Sequence, residues 1–108
     1  MSDSHISLQI GQVVHINKGR DSGQIAIVVG IIDDKFILLA DGDKRKFDRP
    51  KKKNIHHLQV LNYVSPEVQN SIAETGRVTN GKLRFAVTKF VNEHVTELKK
   101  GEQIDGER

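Results

Sequence analysis

A chain of 108 residues, 36% hydrophobic and 29% charged, has room for one modest domain and holds no apolar run long enough to span a bilayer. With no cysteine it can form neither disulfides nor thiolate ligands nor a cysteine nucleophile, and its first residues, MSDSHISLQIG, lack the basic-then-apolar order of a signal peptide, so a cytoplasmic protein is expected. The net charge is +3, yet residues 44–53, KRKFDRPKKK, set seven Lys/Arg against Asp48 alone; that stretch is +6 and the rest of the chain −3, so the positive charge is one patch on a slightly acidic body.

Residues 1–10 read as an extended lead-in. Val13, Val14 and Ile16 predict a first strand, followed by the loop NKGRDSG. Gln24 to Ile32, dense in β-branched residues, predicts a long second strand broken by Gly30. Asp33-Asp34-Lys35 is a turn, Phe36 to Ala40 a third strand, and Asp41-Gly42 a hairpin signal. A short fourth strand is expected around Arg45 and Phe47, ended by Pro50, and a fifth over His57 to Leu61. Five short strands joined by tight turns suggest a small closed or half-closed barrel over residues 11–62.

The last third changes character. Ser65-Pro66-Glu67 carries a capping serine, a first-turn proline and an acid at the positive end of the dipole, which together open a helix that Gly76 would stop. Thr79 or Asn80 caps a second helix, along which Leu83, Val87, Phe90, Val91, Val95 and Leu98 fall at helical spacing. That apolar stripe is expected to pack on the barrel or the first helix. The helical extension runs over 65–99, and residues 100–108, GEQIDGER preceded by a lysine, form an acidic tail expected to be disordered. The fold class is therefore mainly β with two C-terminal helices.

NKGRDSG admits three uses: a nucleophile at Ser22, a cradle for a small phosphate ligand, or a loop that approaches a nucleic-acid backbone. Ser22 lacks the glycine two residues before it that shapes a nucleophile elbow, and so small a barrel leaves little room for a substrate cleft. Gly19 and Gly23 fit neither a P-loop nor a dinucleotide fingerprint, and a strand follows them where a helix is needed. No enzyme, cofactor or small-molecule substrate is therefore expected. The turn aspartates Asp33, Asp34, Asp41 and Asp43 lack a calcium-loop repeat, and adjacent strand positions would send His56 and His57 to opposite faces, so no metal site is expected either. Seven cations crowded into ten residues repel one another, and a polyanion would relieve that repulsion.

The stretch GQVVHINKGRDSGQIAIVVGIIDDKFILLADGDKRKFDRPKKKNIHHLQ, residues 11–59, resembles a KOW-motif domain of the class related to archaeal and eukaryotic large-subunit ribosomal proteins, found in bacteria as small RNA-binding proteins. The signposts are Gly11, Val13, Gly19-Arg20-Asp21 with Gly23, Val28-Val29, Asp33-Asp34, Leu39 to Gly42, Arg45, Pro50-Lys51, and Asn54 to Leu58. The resemblance implies an SH3-like barrel that binds RNA, typically ribosomal RNA. It places Lys18, Gly19, Arg20 and Asp21 at the interface, with Asp21 capping its own loop or orienting Arg20. Transcription elongation factors share the motif and use it for protein contacts as well. The basic run adds Lys44, Arg45, Lys46, Arg49, Lys51, Lys52 and Lys53 as backbone-gripping cations, with His56 exposed beside them. Aromatic residues are only 5%, so backbone and shape recognition is expected in place of base stacking. The expected partners are ribosomal RNA and ribosomal proteins, met by a monomer with no membrane attachment; the alternative is a module docking on a protein partner.

Overall fold

The computed structural model describes residues 8–93. Five strands, β1 (Gln12–Ile16), β2 (Ile25–Ile31), β3 (Phe36–Ala40), β4 (Lys51–Asn54) and β5 (Leu58–Val64), are followed by helices α1 (Pro66–Thr75) and α2 (Asn80–Glu93). All pairings are antiparallel, in the order β4-β3-β2-β1-β5. No described helix is long and apolar enough to cross a membrane. The first seven residues, Val95, Leu98, Gly101 and the acidic tail lie outside the described residues.

Both faces of the sheet are buried, which explains why IAIVVGI in β2 does not alternate with polar residues. Val13, Ile27, Val29 and Ala40 share one face with Val68, Val78, Leu83, Ala86 and Phe90 from the helical part. Val14, Ile16, Ala26, Val28, Ile37, Leu39 and Leu58 form a second cluster on the other face. No helix covers that side among the described residues, only Leu8, Ile10 and Ile55, so the sheet must bend over its own side chains to hide them. Two irregularities of register, at Gln12/Val14 against β5 and at Val28/Gly30 against β3, supply places to bend. Gln12 repairs the first: its buried side-chain amide donates to the Leu61 and Tyr63 carbonyls, at 2.5 and 3.1 Å, where the ladder skips.

The strand ladder does not close. β4 and β5 are the two edges of the sheet, joined by a three-residue 3₁₀ turn (Ile55–His57), and they do not pair. The fourth strand also begins later than expected. Residues 41–50 form a long loop, and Pro50 precedes the strand where it was expected to end it; lacking an N–H, proline is tolerated at such a lead-in to an edge strand. Three consecutive lysines thus form β4, paired with Leu39, Leu38 and Ile37. Lysine on an exposed edge also discourages pairing with another chain. His56 and His57 sit in the 3₁₀ turn and not in a strand, capped by Asn54, whose side-chain oxygen accepts from His56 N–H at 2.8 Å.

The helices start and stop as their caps predict. Ser65 Oγ accepts from Val68 N–H at 3.3 Å, Pro66 occupies the first turn, and Gly76 closes α1 in the left-handed conformation. Thr79 caps α2, accepting from Lys82 N–H at 3.1 Å. Asn80 is thereby released for another task.

Candidate functional site

Antiparallel topology puts the β1–β2 loop (residues 17–24) and the β3–β4 loop (residues 41–50) at one end of the sheet. The first carries Lys18, Gly19, Arg20 and Asp21, the second Lys44, Arg45, Lys46 and Arg49, and β4 starts beside it with Lys51. Two contacts knit the loops together. Arg45 Nη2 lies 3.9 Å from Asp21 Oδ2. The Lys53 ammonium lies against Gly19, so close that a Cβ there would stand 2.5 Å from Nζ.

The β1–β2 loop holds its shape with its own backbone. Ser22 N–H donates to Gly19 O, Gln24 N–H to Asp21 O and Gly23 N–H to Ile16 O, at 3.1, 3.1 and 2.7 Å. Asn17 N–H donates to His57 O at 2.8 Å, and the Asn17 side chain meets His15 Nδ1 at 2.8 Å. Gly19 sits at φ +96°, a conformation that costs glycine nothing. The Asp21 carboxylate meets Arg45 across the loops. Lys18, Arg20 and Ser22 are exposed.

The β3–β4 loop is built differently. Asp41 Oδ1 accepts from Asp43 N–H and Arg45 N–H, at 2.8 and 3.0 Å. Asp33 does the same in the β2–β3 turn, accepting from Lys35 and Phe36 N–H, and those two bonds hold its carboxyl below the usual range. Both aspartates thus serve the turns, as their positions suggested. Beyond Asp41 the loop leans on α2. Phe47 N–H donates to Asn80 Oδ1 at 2.8 Å, the Phe47 ring packs into the helix-side core, and Arg84 Nη1 donates to Gly42 O at 2.7 Å. Gly42, at φ +81°, lies so close to Asn80, Leu83 and Arg84 that no Cβ would fit.

The basic run therefore has three fates. Lys44, Lys46 and Arg49 are exposed on the loop, with Lys46 reaching the Asp43 carbonyl at 3.4 Å, while Arg45 is half-buried in its ion pair. Lys52, opposite Leu38, sits over the Phe36 ring at 4.6 Å from its centre and remains exposed. Lys51 and Lys53 pair with Leu39 and Ile37, both members of the inner cluster, and so share that face. Lys53 is 9% exposed. His56 stands apart from this assembly, on a shallow depression it shares with Leu8, Ile31, Asp34 and Ile55 near the β2–β3 turn. The bracing residues Asn80 and Arg84 were not singled out from sequence. The available signal was Phe47, an apolar side chain inside a run of cations that had to be buried against something.

No protein-family model matches the chain. It is similar to the large ribosomal subunit protein eL14 of Hyperthermus butylicus, with 29% identity over 55 residues, 51% of this chain and 56% of that protein. The similarity to eL14 of Aeropyrum pernix is 28% over 54 residues, covering 50% and 54%. The chain thus spans about half the length of these archaeal proteins. It is 56% identical over 71 residues to a Bacillus subtilis protein named "Putative ribosome-binding protein YbzG", covering 66% of this chain and 96% of that one. At that identity, over nearly the whole length of the relative, the chain belongs to the YbzG family.

Proposed function

We propose that this protein is a ribosome-associated RNA-binding protein of the KOW class. In this reading its bent sheet is a half-closed SH3-like barrel, and the end bearing the β1–β2 and β3–β4 loops grips RNA phosphates in the cytoplasm. The observation that carries the proposal is convergence: Lys18, Arg20, Lys44, Lys46, Arg49, Lys51 and Lys53, scattered over 36 positions of sequence, are supplied by two adjoining loops and the strand beside them. The name of the Bacillus subtilis relative and the similarity to eL14 support the ribosome as the partner and the large subunit as the place.

Neutralising about four phosphates makes log affinity fall with log salt at a slope of roughly −3. Sedimentation of a cell lysate through a sucrose gradient tests the reading: the protein should travel with the large subunit at low salt and leave it at high salt. A variant with Arg20, Lys46 and Arg49 all changed to alanine should stay at the top at both. Wild-type protein at the top under every condition would refute ribosome association.

One observation favours the rival module that docks on a protein. Ile31 and Ile32 are 49% and 48% exposed beside the depression at the β2–β3 turn, an apolar patch unlike the charged end. Co-purification of a partner that survives nuclease, and is lost in Ile31→Ser, would support that second surface.

A further inference from the structure

We infer that Lys53 and the β1–β2 loop form a discrete pocket for a single phosphate group of RNA, distinct from the diffuse attraction of the surface cations. The inference rests on the RNA-binding reading and names the residue within it that carries the closest contact.

Lys53 differs from every other cation of the run. It sits on the inner face of β4, opposite Ile37, and is 9% exposed. It stands opposite Ile37 of the apolar cluster on that face, while its ammonium ends against Gly19. Among the described residues it has no hydrogen-bond or ion-pair partner, although an ammonium carries three donors. Burying a charge without a partner destabilises a fold, whereas the neighbouring Arg45 has Asp21 and Lys52 has the Phe36 ring. A core position opposite isoleucine is ordinarily filled by an apolar side chain, so this lysine makes physical sense when an anion completes it.

The loop above it is suited to that anion. Gly19 has no side chain, and a Cβ there would stand 2.5 Å from the ammonium, so glycine lets the loop backbone lie directly against it. The backbone N–H groups of Lys18, Gly19, Arg20 and Asp21 donate to nothing among the described residues, while those of residues 17, 22, 23 and 24 are all committed within the fold. A non-bridging phosphate oxygen at Lys53 Nζ would have these free amides within the same loop as further donors.

Lys53→Met tests the pocket, because it keeps the stem and removes the charge. Thermal unfolding of the free full-length chain and filter binding to protein-free ribosomal RNA across a salt series are compared with Lys52→Met as the surface control. Lys53→Met should raise Tm by roughly 4 °C, because a buried charge with no partner among the described residues is gone. It should also weaken RNA binding about tenfold or more and reduce the salt slope by about 1, while Lys52→Met changes affinity less than about threefold. RNA binding by wild type with Lys53→Met matching Lys52→Met would overturn the pocket and leave the RNA reading standing. A fall in Tm for Lys53→Met would overturn it too, by showing that the ammonium stabilises the free fold. Should wild type not bind ribosomal RNA, titration with inorganic pyrophosphate decides the pocket alone: a shift of the Gly19 amide resonance that Lys53→Met abolishes retains it, and no shift removes it.

Discussion

The β1–β2 loop is shaped by bonds among its own and flanking backbone groups, whereas the β3–β4 loop adds to its own turn bonds a fastening to a helix that begins thirty or more positions downstream. The two lie side by side, joined by Asp21 and Arg45, and carry six of the seventeen Lys/Arg of the molecule. Their difference teaches what the helical extension is for. A short loop with glycine where φ must be positive can hold itself. A ten-residue loop crowded with like charge has turn bonds of its own and is also fastened at Gly42 and Phe47 to the first turns of α2.

The contrast can be broken most severely at Leu83, fully buried under the loop between sheet and helix. Leu83→Ala should cost about 2–5 kcal/mol of stability, read by denaturant unfolding. Native-state hydrogen exchange should then quicken in residues 42–49 well before residues 18–24; equal acceleration in both loops would show that α2 supports them alike. Asn80→Ala is gentler and more selective. Losing the acceptor for Phe47 N–H should cost about 1 kcal/mol and expose that amide to exchange, with the β1–β2 loop resonances unmoved.

Acid tests the brace from its far side. The Glu67 carboxyl titrates below its usual range, first because its own backbone N–H bonds to it; burial opposes that, and the Lys89 charge and the Ser65 hydroxyl add smaller lowering effects. A carboxylate depressed in the fold stabilises it above the unfolded value, near 4.5, and that contribution disappears as pH falls through the lower folded value. Both partners of the 3.6 Å Glu67–Lys89 pair are about a third exposed, so screening limits the loss to about 0.5 kcal/mol. Glu67→Gln should flatten the stability curve below pH 4.5 by that amount. The smallest effect belongs to the link between the loops. At 3.9 Å, with Arg45 only half-buried, a double-mutant cycle of Asp21→Asn and Arg45→Ala should give a coupling of about 0.3 kcal/mol. A coupling several times larger would mean that the loops act as one rigid unit.

The first three strands and the starts of both helices were legible because their signals are local. β-Branched density sets β2, a short apolar run between two turn signals sets β3, and Ser65 and Thr79 cap their helices within a few residues. The fourth strand was not legible. Three lysines have no strand pattern of their own, and Lys51 to Lys53 become β4 because β3 offers a ladder to pair with. Of the closed or half-closed barrel expected, the closed form is not what the ladder shows, for a related reason: local patterns predict strands but not whether the outermost two will meet. At the candidate site the charge was visible in sequence, and its partition was not. Only pairing opposite Ile37 turns Lys53 inward while Lys52 stays out.

The fastening of Gly42 and Phe47 to Asn80 and Arg84 bears on how such a module can be borrowed or can diverge. The instructions for the shape of residues 41–50 are written partly 33 and 42 positions further along the chain. A graft of residues 11–64 onto another protein would carry the charges of this loop without its conformation. Descendants of this sequence can lengthen the β1–β2 loop without touching α2, but can remodel the β3–β4 loop only by rewriting the first turns of α2 in step.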